Sequence, residues 1–514
     1  MRTRDGEPIR TERIGWPERL DEIAALHPDT LAISSVGADS GNLTWGDLSR
    51  RSLALVGLLE ERGVAAGSVV AVELPNGLAH VITTVAAWRL GTTVLPLRPG
   101  LPAPERERLL GLAAPSSLVS SSPDADLSAD EARDPPGRTA SAPAGHRNAS
   151  PAWIIASGGS TGLPKLIASS INAELGSGGI GVLGDTGSVF ADSSGHRHPV
   201  HLVCAPMSHT HALTLLYFTL LNDFRIILTE RFDAEQVLDL IESQRVSLVG
   251  LVPTMLVRML KSPGFHDRRL SSLECVIVGA GASPAWAVRA LAERIGPARV
   301  LVGYGSSEGV GAALITGEEW LAHPGSVGRP TAFDVRVVGD DGRDLGPGEI
   351  GELYFRPKTA GRSFRYIGAP SARSLPGGFL SLGDLGRLDA DGYLYIADRR
   401  SDMVVTGGAN VYVAEVEAVL SEHPAVEDVV VVGITDEEWG RRVHAIVAPR
   451  PGADRATLAD DLRRFAAGQL APYKVPRTFE IVEQLDRSEA GKINRQALAE
   501  ARTSRLPSHD RGAL

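Results

Sequence analysis

Apolar residues recur at helical spacing from Trp45 to about Glu61, and the pattern stops at Gly63. A β-like run over 69–74 follows, then an apolar helix over 79–90 and a second strand over 93–97, the strand–helix–strand order of a parallel sheet. The alternation returns with strands at 202–205, 225–229 and 247–252, separated by helices at 212–221 and 234–244. In the last helix Val237, Leu240 and Ile241 share one face, and Asp233 and Gln236 stand at the spacing of a capping box. The fold class predicted is α/β, with helix-covered parallel sheets in a large N-terminal part.

Two changes of composition interrupt this rhythm. Residues 115–150 are poor in aromatics and rich in Ser, Ala, Asp and Pro, which predicts a mobile surface connection. The second change falls near 396–402. Beyond it a helix near 414–420, strands at 426–432 and 443–447, another helix near 458–465 and a polar tail predict a separate small domain. A chain of 514 residues exceeds what one core serves, so two or more domains are expected. No internal repeat is present.

The net charge of −10, without any Lys/Arg block, argues against a nucleic-acid partner and for a small ligand. Cys204 and Cys275 lie in apolar runs and read as buried hydrophobes, so neither a disulfide framework nor a zinc site is implied. The opening MRTRDGEPIR lacks the apolar core of a signal peptide, and no run approaches the roughly 18 apolar residues of a membrane span. A soluble cytoplasmic protein is the expectation.

The richest local chemistry lies in Ser157-Gly158-Gly159-Ser160-Thr161-Gly162-Leu163-Pro164-Lys165. Its glycines let backbone N–H groups approach an anion, its hydroxyls add donors, and Lys165 adds charge, so the stretch suits nucleotide phosphates. It is not the commoner phosphate loop, because Pro164 precedes the lysine and Leu166 follows it. A Gly/Ser-rich surface linker is the bland alternative. Against it, Trp153-Ile154-Ile155-Ala156 and Ile167-Ala168 read as flanking strands, making the loop a tight connection between buried elements.

Further motifs follow in order: Tyr304-Gly305-Ser306-Ser307-Glu308, Ser381-Leu382-Gly383-Asp384, Asp398-Arg399, Gly407-Gly408-Ala409-Asn410-Val411-Tyr412 and Gly491-Lys492-Ile493. Together with the loop, this series resembles the adenylate-forming superfamily of acyl-CoA synthetases, nonribosomal adenylation domains and luciferases. The resemblance covers nearly the whole chain. It implies an N-terminal AMP- and acid-binding domain over 1–398, a hinge at 399–401, a mobile α+β C-terminal domain over 402–505 and a tail over 506–514.

By that resemblance, Ser157 to Lys165 handle the β- and γ-phosphates of ATP, Ser307 contacts the α-phosphate, and Glu308 helps to hold Mg²⁺. Ser307 stands where the family usually has Thr, and the hydroxyl survives. Asp384 and Arg399 would bind the ribose hydroxyls, and Tyr304 would cover the adenine, although a turn aspartate, a solvated arginine and a core tyrosine give the same local signals. Lys492 resembles the catalytic lysine that bridges the substrate carboxylate and the α-phosphate. The acyl pocket would be lined by His209, Gly279, Gly281, Gly309 and Gly311. His209 aligns with a gate between nucleotide and acid, a satisfied core histidine being the ordinary alternative for it and for His211. A flat aromatic or polycyclic acid suits the small residues better than a long alkyl chain.

In this family the small domain rotates after the adenylate forms, which would bring Gly407 and Gly408 to a nucleophile tunnel about a hinge at Ser401. Trp439 could stack on the adenine of CoA, or be a half-buried structural tryptophan. Similarity to bacterial long-chain, bile-acid and aryl-acid CoA ligases makes CoA the leading acceptor. Val413 and Asp486 each replace a usual proline, and Leu166 a common glycine. Transfer to an amine, as in amide synthetases of natural-product pathways, and loading of a carrier-protein thiol are the alternatives. Outside catalysis, a degenerate nucleotide- or acid-binding protein is the rival reading; a small-metabolite kinase, which would release ADP, fits less well.

Overall fold

The computed structural model describes residues 14–136, 149–158, 164–169, 171–175, 199–358, 364–436, 438–488 and 491–503. Gly159, Ser160, Thr161 and Gly162 of the expected phosphate loop lie outside the described residues.

The large part is built on an eight-stranded sheet in the order Ala312–Thr316, Val300–Gly305, Cys275–Val278, Leu248–Leu251, Val200–Val203, Arg225–Thr229, Leu31–Val36, Gly41–Thr44. Its inner pairs are parallel and its two outermost pairs antiparallel. Buried on both faces, the inner strands are continuous apolar runs such as LVGL and CVIV. The helices Trp45–Glu61, Thr210–Leu220 and Ala234–Ser243 sit where the apolar periodicity places them. Of the expected capping box at the last helix, only the half in which Gln236 N–H donates to Asp233 (2.8 Å) is present. A second parallel sheet holds Thr93–Pro96, Val69–Glu73, Ser117–Ser120 and Leu127–Ser128.

The reading of 115–150 as a mobile connection fails for its described part. Ser117–Ser120 is a fully buried strand, and Ala129–Arg133 is a helix closed by a Ser128/Glu131 capping box. The serines there are interior residues: Ser120 Oγ donates to the buried Glu73 carboxylate at 2.9 Å. Composition misleads at Ser120 because a hydroxyl paired with a carboxylate can be buried at little cost.

Beyond residue 400 the strands Val426–Asp436 and Gly440–Pro449 pair antiparallel, with Thr478–Ile481 parallel to the second. Helices Val413–Glu422 and Leu458–Ala467 pack on this sheet, and its core clusters contain no residue of the large part. The stretch after Ala467 contributes the strand Thr478–Ile481 and the helix Arg495–Thr503, and the expected tail over 506–514 lies outside the described residues. Cys204 and Cys275 are buried free thiols, as expected. Among the described residues, no helix is long and apolar enough to cross a membrane.

His80 is buried in the helix Leu78–Arg89, neither ring nitrogen has a partner, and burial pushes its pKa down to about 4. The unfolded chain therefore binds a proton here between pH 6.5 and 4 that the native one refuses, so this stability is present above pH 6.5 and is lost as pH falls. His80→Leu is expected to lessen the loss of unfolding free energy between pH 7.5 and 4 by about 3 kcal/mol, measured by denaturant titration at both pH values. An unchanged acid limb would refute this assignment.

Candidate active site

The flanks of the phosphate loop form a β-hairpin, Ile154–Gly158 against Pro164–Ser169, with Gly158 opposite Pro164 and Ser157 opposite Lys165. Trp153 anchors its base among Trp16 and Trp88, and Trp88 Nε1 donates to the carbonyl of Ala152 at 2.8 Å. Leu166, the residue that departs from the family pattern, is fully buried beneath the sheet, paired with Ala156 and Ile367. The third strand, Phe364–Ile367, delivers a residue that the motifs did not reveal. Lys165 Nζ lies 3.4 Å from the centre of the Tyr366 ring, and Tyr366 OH donates to Glu308 at 2.8 Å. One aromatic side chain thus sets the loop's cation and the Glu308 carboxylate beside each other. Desolvation lowers the pKa of Lys165, opposed by Glu308 and reinforced by Arg399.

Tyr304 ends the strand Val300–Gly305 and stacks on Phe355 with ring centres 5.8 Å apart, while its OH donates to Asp384 at 2.5 Å. Burial, then the Asp384 charge, raises the pKa of the Tyr304 phenol. Asp384 and Arg399 face each other across adjacent antiparallel strands, with Nε and Oδ1 3.4 Å apart. Fifteen positions of sequence separate them; strand register unites them. In the turn that follows Tyr304, Thr210 Oγ1 donates to Ser307 Oγ at 2.9 Å. Gly311 is required there: φ is +77°, and a Cβ would lie 3.0 Å from the Phe355 ring.

His209 immediately precedes the helix Thr210–Leu220. Desolvation, then the charges of Lys492 and Arg98, push its pKa down to about 3, so the ring is neutral at neutral pH. Arg98 is a further residue without a sequence signal.

Lys492 comes from the small part. Its loop is fastened to that part's own sheet: Arg487 bonds the Gly491 carbonyl at 3.0 Å, Asp428 at 2.8 Å and the Val429 carbonyl at 2.8 Å. The same loop touches the large part at Thr254, where a Cβ on Gly491 would meet Oγ1 at 2.2 Å. Two hydrogen bonds support this docking, Lys261 Nζ to the Val426 carbonyl (2.5 Å) and Trp286 Nε1 to Ser421 Oγ (3.1 Å). Although Lys492 is exposed within the cleft, desolvation by the cleft walls and the Arg399 charge lower its pKa, opposed by Glu308.

A single cleft of about 2680 Å³ receives most of the charged and polar groups named. Ser157, Lys165, Ser307, Glu308, Tyr304, Asp384 and Arg399 line it, as do Ser401 and Lys492. His209, Gly279, Gly281, Gly309 and Gly311, the expected acyl-pocket residues, also line the cleft. Gly407, Gly408 and Trp439 are not among the described lining residues. The two glycines form the turn between Val404–Thr406 and Ala409–Val411, and Trp439 packs on Gly407 under the Arg477 guanidinium, 4.0 Å from its ring centre. Ser401 is exposed and donates to Asp402 at 3.1 Å. Among the described residues no cluster of three or more His, Cys, Asp or Glu could cage a metal. A lone carboxylate at Glu308 therefore fits Mg²⁺ only as an ion whose remaining ligands are phosphate oxygens and water.

A two-part protein with a phosphate hairpin, a cross-strand Asp–Arg pair and a lysine from the smaller part in one cleft defines a class of nucleotide-using enzyme. The model of the AMP-binding enzyme family matches residues 20–363, and that of the AMP-binding enzyme C-terminal domain matches 415–492. The chain belongs to this family, the adenylate-forming superfamily. It is 32% identical to a feruloyl-CoA synthase from Amycolatopsis sp, over 94% of this chain and 98% of that protein. The o-succinylbenzoate CoA synthetase of Bacillus subtilis, solved with its acyl-adenylate intermediate, superposes with a TM-score of 0.77 at 25% identity, covering 95% and 98% of the two chains. An amide bond synthetase from Marinactinospora thermotolerans superposes with a TM-score of 0.75 at 26% identity, covering 95% and 99%.

Proposed function

We propose that the protein activates a carboxylic acid with ATP, forming an acyl-adenylate and pyrophosphate, and then transfers the acyl group to CoA. The observation that carries this reading is Lys492, held by the smaller part in the same cleft as Glu308, Arg399 and His209. A carboxylate oxygen attacks the α-phosphorus while the bond to pyrophosphate breaks, so negative charge gathers where two anions meet. Lys492 supplies a cation at that point, and the neutral His209 shields the acid end without adding charge. The 157–165 loop with Lys165 holds the outgoing phosphates, Ser307 the α-phosphate, and Asp384 and Arg399 the ribose. Tyr304 covers the adenine, and Glu308 holds Mg²⁺, which when bound neutralises phosphate charge.

In this proposal the arrangement described is the adenylate-forming one. Rotation of 402–505 about 399–401, centred on Ser401, would withdraw Lys492 and present Gly407 and Gly408. The thiol of CoA then attacks the acyl carbonyl and AMP leaves. ATP and CoA as substrates favour a cytoplasmic location.

Transfer to an amine is the second reading. Val413, in place of the usual proline, is fully buried at the start of the helix Val413–Glu422, and an amine needs no pantetheine channel. Incubation with ATP, Mg²⁺ and pooled acids, divided between CoA and mixed amines and read by mass spectrometry, separates the two. Acyl-CoA products support the first reading and amides the second; absence of acid-stimulated AMP across the pool would leave only a nucleotide- or acid-binding protein.

Ribose recognition is tested separately. Asp384→Ala is expected to raise KM for ATP by roughly tenfold or more, since a charged hydrogen-bond partner is lost. The variant should not differ from the parent with 2′,3′-dideoxy-ATP. An equal penalty with both nucleotides would assign Asp384 to holding Tyr304 alone.

A further inference from the structure

Resting on the two-step reading above, we propose that one face of the helix Pro253–Lys261 is a latch for the smaller part, with Lys261 and Trp286 as positioning residues. They hold Lys492 in place for adenylate formation and take no part in acyl transfer.

The helix is two-sided. Met255, Leu256 and Met259 turn into the core, while Thr254, Val257, Arg258 and Lys261, at spacings of three and four, share another face. Three of these four meet the smaller part. Thr254 lies under Gly491, Arg258 faces Asp428 at 3.9 Å, and Lys261 donates to the Val426 carbonyl at 2.5 Å. Trp286, on the adjoining helix Ala285–Ile295, adds its bond to Ser421 and has the Lys261 ammonium 5.9 Å from its ring centre.

These contacts differ in strength. Lys261 is enclosed where the two parts meet, and desolvation lowers its pKa to about 8, reinforced by Arg450 and opposed by Glu427 and Asp428. An ammonium that has given up water depends on its carbonyl acceptor, so this bond outweighs a surface ion pair. The Arg258–Asp428 pair is long and half-exposed on the arginine side, and adds little.

What the latch grips explains its reach to Lys492. Val426 begins the strand Val426–Asp436, and Asp428 and Val429 of that strand hold Arg487, which holds the Gly491 carbonyl. Lys261 therefore fastens the end of the strand to which the Lys492 loop is tied. Without that bond the strand and the loop lift together, and a displacement on the order of 1 Å at Lys492 costs up to roughly 10²-fold. Lys261 and Trp286 stand on the large part and their acceptors on the smaller one, so the proposed rotation breaks both bonds. The latch thus favours one half-reaction only.

The test compares Lys261→Met, which removes the charge and the donor, with Lys261→Arg, which restores both, and with Trp286→Phe, which removes the indole N–H. Three quantities are measured: ATP–pyrophosphate exchange with benzoate, 4-hydroxycinnamate and octanoate, transfer to CoA from the synthetic adenylates of these acids, and deuterium uptake by the facing segments 253–261 and 421–428. Lys261→Met is expected to lower kcat for exchange roughly tenfold, with KM for ATP and transfer to CoA unchanged, and to raise uptake in both segments. Lys261→Arg should recover most of the loss, and Trp286→Phe should show a smaller one in the same direction. Equal loss of both half-reactions, a rise in KM alone, or parental exchange and uptake in both Lys261→Met and Trp286→Phe overturns the proposal. If the parent shows no exchange with any of the acids, the activation reading fails for them and uptake alone decides the latch: raised in Lys261→Met it stands as a docking contact, unchanged it falls.

Discussion

Lys492→Ala protein is expected to lose acid-dependent ATP–pyrophosphate exchange by about 10²–10³-fold, with little change in KM for ATP. Under the proposed function the lysine is not a ground-state nucleotide anchor; it stands near Glu308, Arg399 and His209, where charge would accumulate as the carboxylate meets the α-phosphate. Removing a donor used only in the transition state lowers kcat rather than binding. Thioester formation from a supplied acyl-adenylate and CoA should survive, because in the proposed rotation that step would proceed with the lysine withdrawn. Desolvation and Arg399 lower the Lys492 pKa, so the parent's exchange activity should fall on the alkaline side at a lower pH than an ordinary lysine would give. Undiminished exchange in Lys492→Ala, or equal loss of both half-reactions, would take Lys492 out of this role.

Gly491→Ala should nearly reproduce that loss without touching the charge. The added Cβ would sit 2.2 Å from Thr254 Oγ1, and φ at Gly491 is +71°, which an alanine adopts only with strain. The smaller part then cannot seat fully, and a displacement on the order of 1 Å at Lys492 costs roughly 10²-fold. The second substitution Thr254→Ala removes the atom in closest conflict and leaves the backbone strain, so the double variant should recover most but not all of the activity. A single variant with parental exchange rate, or a double variant no better than the single, would show that Gly491 does not govern docking.

Much of the site could be read from the chain because its parts are local. A hairpin whose loop is rich in Gly, Ser and Thr announces itself through flanking β-branched residues, and the structure closes it at Gly158 and Pro164. Tyr366 could not be read in this way. It stands in an ordinary strand, and only the pairing of Phe364–Ile367 with Pro164–Ser169 brings it to Lys165. Arg98 was hidden for the same reason, as was the bond from Thr210 to Ser307. Composition failed at Ser117–Ser120, where Ser120, satisfied by Glu73, behaves as a core residue.

Periodicity and motif order were thus sufficient for the α/β class, several strands and helices of the large part, and the family. They could not show how the smaller part seats on the larger, because nothing local in the Gly491-Lys492 or Gly407-Gly408 segment specifies it. That was decided by contacts between residues far apart in sequence: Thr254 beneath Gly491, Trp286 on Ser421 and Lys261 on the Val426 carbonyl. Local propensity acts over a few residues, whereas docking depends on shape and hydrogen bonding between surfaces that only the folded chain possesses.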